Sequence, residues 1–425
     1  MGPYDMSRQT NFLGASSVGH ALSLEDVLYH PSPAYQTPDE RWMGRCLQLA
    51  ERARGATRPN PVVGSVVLNR SGKRIAEGWH KQAGEPHAEA MALSVVESVG
   101  KKAARGGTLY VNLEPCNHTG KTPPCTQAII QAGIAKVVFG VADSNPNVTG
   151  SGQIALKQAG IDVVGGVLES VCQRANEAFF YAVENQRPFV SAKLALTSDG
   201  RVNVRSSSGA WMTSSTSKQW AHQLRGQHDA ILTTAESILA DDSQLTVREG
   251  LVLERQPIRV VLDRRGRLME RTHRIFQQVD EPSNRPVSPV IHVVSNAYRM
   301  HPEEKVGHGC DASNIQTWYV PEDGEGLCLT TVLKCLYTEK NCLSVMVEAG
   351  PRLFNHMLAK QQIHRLHLIH TPHWLMDSGA AAASGGQVCF NLGQAPTLNV
   401  VHRQMIEEDM WVTAYPEYAN DLTVV

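Results

Sequence analysis

Four residues in the first half of the chain carry side chains that bind metals or transfer protons: His87, Glu89, Cys116 and Cys125. One imidazole and two thiolates suit zinc, and three protein ligands leave the fourth position of a tetrahedral site free for water, as in catalytic sites. Glu89 follows the predicted ligand His87 by two residues, so its carboxylate can face that water without binding the metal. It can then take up and return the proton of the water. The sequence therefore predicts a catalytic zinc site.

The surrounding pattern places these residues at the ends of regular elements. His87 opens an Ala-rich helix, Cys116 follows a short apolar strand, and Cys125 opens the next helix. A cysteine at a helix N-terminus lies at the positive end of the helix dipole, which favours the thiolate. One alternative stays open at this point, a closed structural zinc site in which His118 supplies the fourth ligand.

Strands and helices alternate through this half, which favours a largely parallel sheet covered on both faces. Two strands are predicted to meet at a turn over 71–72. The predicted strands cover 62–68, 74–80, 108–113, 136–142 and 162–167, and the predicted helices cover 41–54, 87–99, 126–132, 154–159 and 170–185.

The combination of His-Ala-Glu, Pro-Cys and a second cysteine is typical of zinc deaminases, in which the glutamate passes a proton to the departing amine. The usual gap of two residues between the cysteines is here widened to eight, over Asn117 to Pro124. The runs EPCNHTGKTPPC (114–125) and RPNPVVG (58–64) resemble the deaminase half of bifunctional riboflavin biosynthesis proteins. This resemblance implies a diaminopyrimidinone carrying a ribosylamino 5-phosphate as the substrate, with hydrolytic deamination by zinc-activated water.

The same resemblance implies an N-terminal cytidine-deaminase-like three-layer α/β/α domain over 41–186. It also implies that Asn60 contacts the pyrimidine or its sugar. His118 and Lys121, in the polar insert between the cysteines, are candidates for phosphate binding, because lysine is a useful point charge there. For Lys121 a solvated surface charge is the alternative.

A second α/β pattern begins at Phe189, just after Pro188, which discourages continuation of the preceding helix. The loop 348–352 lies between a buried-type strand and a helix, and backbone N–H groups at such a helix start suit a pyrophosphate, with simple helix entry as the alternative. The predicted strands cover 189–196, 230–233, 258–263, 290–294, 316–320, 343–348 and 365–371, with a final antiparallel pair over 397–404 and 410–414, and the predicted helices cover 214–224, 329–338 and 352–360.

A series of motifs in this half, in this order, resembles the reductase of the same family. The motifs are KLALTSDG (193–200), WMT (211–213), ADDSQLTVR (240–248), RVVLD (259–263) and VEAGP (347–351). The resemblance implies a dihydrofolate-reductase-like α/β domain over 187–425, which reduces the ribosyl group to ribityl with NADPH.

By motif, the predicted substrate-binding residues are Lys193, Arg225, Leu245, Arg248 and Glu348. The predicted cofactor-binding residues are Leu196, Trp211, Ser237, Asp241, Arg264, Gly350, Pro351, Arg352, Leu353, Phe354, Asn355 and His356. Two arginines suit a phosphomonoester because each guanidinium binds its oxygens in pairs. Arg264 is the candidate for the 2′-phosphate of NADPH, with a surface salt bridge as the alternative.

The family pattern is altered at three places in the second half. Thr234–Ser237 stands where many members carry Gly-x-Gly-Thr, Gly209 where a substrate-binding serine is common, and Ala349 where a second glycine is common. An alternative follows, an active deaminase joined to a reductase-like domain that only binds a ligand or holds an oligomer.

Composition limits the partners of the chain. A formal net charge of -1 and a pI near 7.0 give no electrostatic footprint for nucleic acid or an anionic membrane. No apolar run is long enough to cross a membrane. The nine cysteines, an odd number, favour a reducing compartment, so we expect a cytoplasmic enzyme acting on small molecules. Such folds are often symmetric assemblies, so a homo-oligomer is expected.

Residues 1–40 are expected to form a poorly ordered extension and lack the pattern of a secretory signal. Two further function classes compete with the bifunctional enzyme. One is a nucleic-acid base deaminase, which the neutral pI and the lengthened cysteine insert disfavour. The other is a zinc-stabilised binding module without activity, for which Glu89 would be dispensable.

Overall fold

The protein is described from a computed structural model that covers residues 36–100, 102–118, 123–143, 150–202, 212–248, 255–277, 288–298, 309–310, 314–324, 326–383 and 395–418. The described residues form two sheets, one of five strands and one of ten. Most of residues 1–40, together with Lys121, Gly209 and Trp211, lie outside the described ranges.

The first half contains five strands and six helices within the described ranges. They are α1 (Pro38–Glu51), β1 (Gly64–Leu68), β2 (Arg74–Trp79), α2 (Ala88–Val99), β3 (Thr108–Leu113), α3 (Cys125–Gln131), β4 (Lys136–Val141), α4 (Ser151–Gln158), β5 (Asp162–Val164), α5 (Glu169–Ala175) and α6 (Glu177–Asn185). Helix α1 begins at Pro38 rather than Arg41, because Thr37 and Glu40 form a capping box there.

The strand order of the first sheet is β2-β1-β3-β4-β5. β1 pairs antiparallel with both β2 and β3, whereas β3, β4 and β5 run parallel. The prediction of a largely parallel sheet was therefore wrong for this half, because the predicted turn at 71–72 closes a hairpin that reverses the chain. All of β1 is buried, which requires cover on both faces. Gly64 permits the close approach of α1, since a Cβ there would lie 2.1 Å from the Cys46 carbonyl oxygen.

The helix predicted over 170–185 is interrupted at Asn176, between α5 and α6. Its side-chain amide binds the backbone of Val62 on both sides, accepting from N–H at 2.8 Å and donating to C=O at 2.9 Å. Asn112 also donates to the Val62 carbonyl and accepts from the Gly64 amide. These two buried amides fix the loop that precedes β1.

The second half contains ten strands and four α-helices within the described ranges. They are β6 (Phe189–Leu196), α7 (Ser215–Gly226), β7 (Ala230–Thr234), α8 (Ala235–Asp241), β8 (Ile258–Asp263), β9 (Val290–Ser295), β10 (Gly309–Cys310), β11 (Ile315–Val320), α9 (Leu329–Lys340), β12 (Ser344–Val347), α10 (Pro351–Ala359), β13 (Arg365–His370), β14 (Thr397–Ile406) and β15 (Asp409–Glu417). The predicted strands are confirmed, and the short helix α8 and strand β10 were not predicted.

The strand order of the second sheet is β10-β11-β9-β8-β7-β12-β6-β13-β15-β14. The strands from β11 through β13 are parallel, and β10, β15 and β14 are antiparallel additions at the two sides. The carboxyl ends of the parallel strands therefore share one edge, which we call the carboxyl edge. Ligands of open α/β sheets bind at this edge.

The two halves meet at the opposite edge of the second sheet, where its parallel strands begin. Asp229, just before β7, accepts a hydrogen bond at 3.3 Å from Arg255 and lies 3.8 Å from Arg58 of the first half. Gly55 packs directly on Gly226, because a Cβ at Gly55 would lie 2.2 Å from its carbonyl oxygen. We call this edge the amino edge.

Candidate active sites

The three predicted metal ligands converge in the structure. The nitrogen or sulfur atoms of His87, Cys116 and Cys125 all lie within 4.8 Å of one another. His87 Nδ1 lies 3.5 Å from Cys116 Sγ and 3.3 Å from Cys125 Sγ. One imidazole nitrogen and two sulfurs are a donor set that fits zinc. His118, the alternative fourth ligand, is exposed and is not part of this cluster.

Local structure explains how the three side chains come together. His87 is the N-cap residue of α2 and makes no side-chain cap, so its imidazole is free to face the sulfurs. The Cys125 amide at the start of α3 points at Cys116 Sγ, 3.5 Å away. Asn117 accepts a hydrogen bond from Thr126 Oγ1 at 2.8 Å, which closes the cysteine loop onto α3.

The pKa values of the two thiols are shifted in opposite directions. Hydrogen bonding from Cys125 and then from His87 lowers the pKa of Cys116 to about 4, although burial acts in the opposite direction. The pKa of Cys125 is raised, because it donates to Cys116 and is buried. The lowered pKa of Cys116 favours its thiolate, the form of cysteine that binds metals.

Glu89 lies in the first turn of α2 and is only 4% exposed. Burial raises its pKa to about 7, and the negative charge of Cys116 adds to this rise. A carboxyl group with a pKa near neutrality can both accept and return a proton at physiological pH. Its position beside the sulfurs matches the proton-transfer role predicted from the sequence.

His80, a residue that the sequence did not indicate, connects Asn60 to the metal ligands. Asn60 Nδ2 donates to His80 Nε2 at 3.0 Å, while His80 Nδ1 bonds the Pro86 carbonyl oxygen at 3.2 Å. The His80 ring is buried and meets the ring of His87 edge-on, with centroids 5.5 Å apart. His80 thus connects the predicted pyrimidine contact to the metal centre. Its only signal in the sequence was a polar residue at the end of a predicted strand.

In the second half, three of the predicted substrate residues come together. Arg225 Nε lies 2.5 Å from Glu348 Oε1, its Nη2 lies 3.0 Å from Oε2, and Lys193 Nζ lies 3.9 Å from Oε2. Burial opposes ionisation of Glu348, yet the charge and hydrogen bonds of Arg225 lower its pKa to about 2. Burial lowers the pKa of Lys193. The cluster holds two cations around one ionised carboxylate.

Arg248 contacts helix α7 through its backbone, one turn before Arg225. The Arg248 amide donates to His222 Nδ1 of that helix at 3.2 Å. The Arg248 side chain bonds Gln244 and Thr246, at 2.9 and 2.8 Å. Leu245 has a left-handed backbone, with φ 55°, and is buried. The buried His222, whose charge lowers the pKa of Glu348, was not predicted.

Four of the predicted cofactor residues lie at the carboxyl edge. Leu196 ends β6, Ser237 lies in the first turn of α8 after β7, Arg264 follows β8, and Gly350 follows β12. Gly350 is the N-cap of α10, and a Cβ added there would meet nothing within 4 Å. The start of α10 is therefore open to a ligand, as phosphate binding requires.

Individual side chains of that set differ in what they contact. Arg264 pairs with the partly exposed Glu322 at 2.5 Å. Asn355 donates to the Ala383 carbonyl oxygen at 2.9 Å. Phe354 points into the core, so only its backbone faces the carboxyl edge. Burial raises the pKa of Asp241 at the end of α8.

The altered segment 234–237 forms an ordered helix entry. Thr234 is the N-cap of α8, and its Oγ1 accepts from the Ser237 amide at 3.3 Å. A threonine cap thus closes this turn in place of the glycines common at the site. Among the described residues, no helix is both long enough and apolar enough to span a bilayer.

The fold and the metal ligands together define a zinc-dependent deaminase domain of the cytidine-deaminase type, followed by a second α/β domain. Comparison with known proteins agrees. Residues 36–141 match the cytidine and deoxycytidylate deaminase zinc-binding region, and residues 188–410 match the RibD C-terminal domain.

Relatives and solved structures cover most of the chain. The riboflavin biosynthesis protein RibD of Synechocystis is 39% identical over 378 residues, which make up 89% of this chain and 96% of that protein. The Escherichia coli RibD is 37% identical over 348 residues, 79% of this chain and 88% of the relative. A Thermotoga maritima diaminohydroxyphosphoribosylaminopyrimidine deaminase/5-amino-6-(5-phosphoribosylamino)uracil reductase superposes with a TM-score of 0.76 at 33% identity, covering 89% of this chain and 98% of that one. Acinetobacter baumannii RibD gives 0.73 at 30% identity, with the same coverage.

The chain belongs to the RibD family of riboflavin biosynthesis proteins. It is a bifunctional enzyme, with a zinc-dependent deaminase domain in its first half and an NADPH-dependent reductase domain in its second.

Proposed function

We propose that this enzyme deaminates 2,5-diamino-6-(5-phosphoribosylamino)pyrimidin-4-one and then reduces the ribosyl group of the product to ribityl. The name of the Thermotoga maritima relative supports this choice of substrate. The convergence of His87, Cys116 and Cys125 beside the buried Glu89 is the observation that carries the proposal. We take residues 41–186 as the deaminase unit and 187–425 as the reductase unit.

In the deaminase unit, His87, Cys116 and Cys125 would hold zinc, which acts as a Lewis acid and lowers the pKa of water. Glu89 takes up a proton at its carboxylate and delivers it to the nitrogen that leaves the ring. The raised pKa of Glu89 suits this exchange in both directions. Asn60, oriented by His80, has a side-chain oxygen with which to bind the ring or its sugar.

In the reductase unit, Lys193, Arg225 and Glu348 bind the opened sugar and its phosphate, together with Leu245 and Arg248. NADPH supplies the hydride, and the start of α10 binds its phosphates. Burial lowers the pKa of Lys193, so its ammonium can donate a proton near the sugar more readily than an exposed lysine. Glu348 keeps Arg225 in a fixed orientation through both of its oxygens. Arg264 is placed to exchange its exposed partner Glu322 for the 2′-phosphate.

We further propose that the enzyme works as a cytoplasmic homo-oligomer without nucleic acid or membrane partners. The near-neutral charge supports the absence of nucleic acid. Seven of the described cysteines are free, in keeping with a reducing compartment: Cys46, Cys116, Cys125, Cys172, Cys328, Cys335 and Cys342. Strand β14 has neighbours on one side only and exposes Met405, so a second copy could cover this edge. Light scattering of the purified chain measures its mass in solution.

The test is incubation with the diaminopyrimidine ribosyl phosphate, with and without NADPH, followed by mass spectrometry. Deamination adds about one mass unit, because an amine becomes a carbonyl. Reduction adds about two more, and only when NADPH is present. Absence of the first gain contradicts the proposed deamination. Absence of the second supports a reductase-like domain that binds ligands without catalysis.

A further inference from the structure

Asp199 lies in the turn after β6, and its carboxylate binds the segment that follows the neighbouring strand β13. Its Oδ1 accepts from Thr197 Oγ1 at 2.6 Å and from the Leu375 amide at 3.2 Å. Its Oδ2 accepts from the Met376 amide at 3.0 Å. One carboxylate therefore ties together the chain segments that leave two adjacent parallel strands.

Asp199 holds the outer end of the segment 371–376, where burial does not fix the side chains. The inner end is held separately, because the Ser198 amide donates to the His373 carbonyl oxygen at 2.8 Å. Trp374 is 65% exposed and Met376 is 83% exposed. Met376 also has a left-handed backbone with φ 51°, which costs energy for a residue other than glycine. Its amide is held in this conformation by Asp199 Oδ2. Two large apolar side chains are thus presented to solvent on a conformation that the partly exposed Asp199 carboxylate holds through hydrogen bonds.

The segment adjoins the predicted cofactor site at its start. Leu196, a predicted cofactor residue, comes directly before the turn, and its carbonyl accepts from the Thr371 amide at 2.8 Å. Seven residues beyond Met376, the Ala383 amide donates to the Gly200 carbonyl at 2.8 Å, and Asn355 of α10 donates to the Ala383 carbonyl at 2.9 Å. Residues 371–383 therefore connect Leu196 to Asn355 along the carboxyl edge.

We propose that Asp199 is a positioning residue for the reductase reaction. It fixes segment 371–376 as one wall of the NADPH site, where the indole of Trp374 covers the bound cofactor. An exposed indole at the rim of a site gains contact area by packing on a flat ring, which accounts for its exposure before binding. The inference rests on the proposed reductase function. Asp199 itself acts through the segment and touches no reacting atom.

The test compares Asp199→Ala with wild type in steady-state reduction of the deaminated substrate. Removing the acceptor of three hydrogen bonds should raise the KM for NADPH by about tenfold or more. The KM for the pyrimidine should stay unchanged and kcat should change by less than about threefold, because the proposed role concerns cofactor binding rather than the transition state. Asp199→Asn keeps one acceptor oxygen and should give an intermediate value.

Asp377→Asn is the matched control, because within the described ranges Asp377 Oδ1 accepts from the nearby Gly379 amide alone, at 2.8 Å. It should leave the KM for NADPH at the wild-type value. Trp374→Ala provides a second route if Asp199→Ala does not fold, since an exposed ring is not needed for stability, and it should raise the same KM. Equal losses in both KM values, a change in kcat alone, or an unchanged KM for NADPH in Trp374→Ala would overturn the inference. A wild-type enzyme that does not oxidise NADPH with substrate present contradicts the proposed function instead.

Discussion

Arg225 holds both carboxylate oxygens of Glu348, with Nε 2.5 Å from Oε1 and Nη2 3.0 Å from Oε2. Both side chains are largely buried, so neither finds a substitute partner in water. We expect Glu348→Gln to leave the Arg225 charge without its counterion and to destabilise the reductase half by about 3–5 kcal/mol. Reductase activity should fall by about 100-fold or more while deaminase activity is kept. Urea unfolding and separate assays of the two steps measure these effects.

The control for this change is Glu236→Gln, which breaks an exposed ion pair with Arg267. Exposed pairs contribute about 0–1 kcal/mol, so its unfolding curve should nearly coincide with that of wild type. Equal destabilisation in the two variants would contradict the importance of the buried pair.

Glu89→Gln should abolish proton transfer in the deaminase site without disturbing the metal ligands. We expect deamination to slow by about 10²–10⁴-fold, the usual contribution of acid–base catalysis. Zinc content and reduction of supplied deaminated substrate should be unchanged. Glu97→Gln, an exposed position on the same helix, should behave as wild type. A variant Glu89→Gln with full deaminase activity would favour the zinc-stabilised binding module over the enzyme.

Metal analysis distinguishes the three-ligand site from a closed one. Cys116→Ala should lose zinc, because two protein ligands rarely retain the metal. His118→Ala should keep about one zinc per chain, since His118 lies outside the cluster. Loss of zinc from His118→Ala would restore the structural site as the correct interpretation.

Lowering the pH from 7 to 5 should destabilise the reductase half, although most carboxylates titrate only at lower pH. Burial lowers the pKa of His228 to about 3 and that of His364 to about 4, and it also lowers the pKa of His367. Below pH 6.5 the unfolded chain binds protons that the native state does not, so stability falls as the pH drops towards these native values. Each histidine contributes up to about 1.4 kcal/mol per pH unit.

Urea unfolding between pH 7 and 5 measures this dependence. Hydrogen bonds favour the neutral imidazoles of His364 and His228. His364 Nδ1 accepts from the Val190 amide at 2.8 Å, and the His228 ring lies between Ser191 Oγ and the Leu224 carbonyl oxygen. A slope equivalent to less than one proton over this range would show that these histidines titrate in the native state.

The contact between Gly55 and Gly226 sets how closely the two halves approach. Gly55→Ala places a Cβ 2.2 Å from the Gly226 carbonyl oxygen, in addition to the strain of φ +83°. Gly72→Ala is the matched control, since it has φ +79° but nothing within 4 Å. The control should lose about 1 kcal/mol from strain alone, and Gly55→Ala should lose distinctly more. Thermal unfolding of the two variants measures the difference, and equal losses would mean that the halves can separate at no cost.

Much of the deaminase centre was predictable because its ligands stand at fixed distances from helix starts. His87, Glu89, Cys116 and Cys125 are close in sequence to elements with clear periodicity, so their convergence follows from the motif. His80 was missed because its role depends on contacts with Asn60 and Pro86 that a loop creates. A loop of this kind has no periodic signal.

The second sheet was predictable strand by strand because its parallel strands are continuous apolar runs. The contacts between side chains were harder to predict from the sequence. Arg225 and Glu348 are separated by 123 positions, and only the fold shows that they form an ion pair. The break at Asn176 was missed because its side chain forms hydrogen bonds with the backbone of Val62, 114 positions away. An uninterrupted helix was the natural interpretation of that segment.

The attachment of the deaminase half to the amino edge determines how the two activities can cooperate. Asp229 and Ser344 mark that junction, whereas Glu348 and Gly350 lie at the other end of the same strands. Strand β12 therefore places about 13 Å of extended chain between the junction at Ser344 and the reductase cluster at Glu348. If the deaminated intermediate is released before it is reduced, an added trapping reagent or a second copy of the enzyme should intercept it.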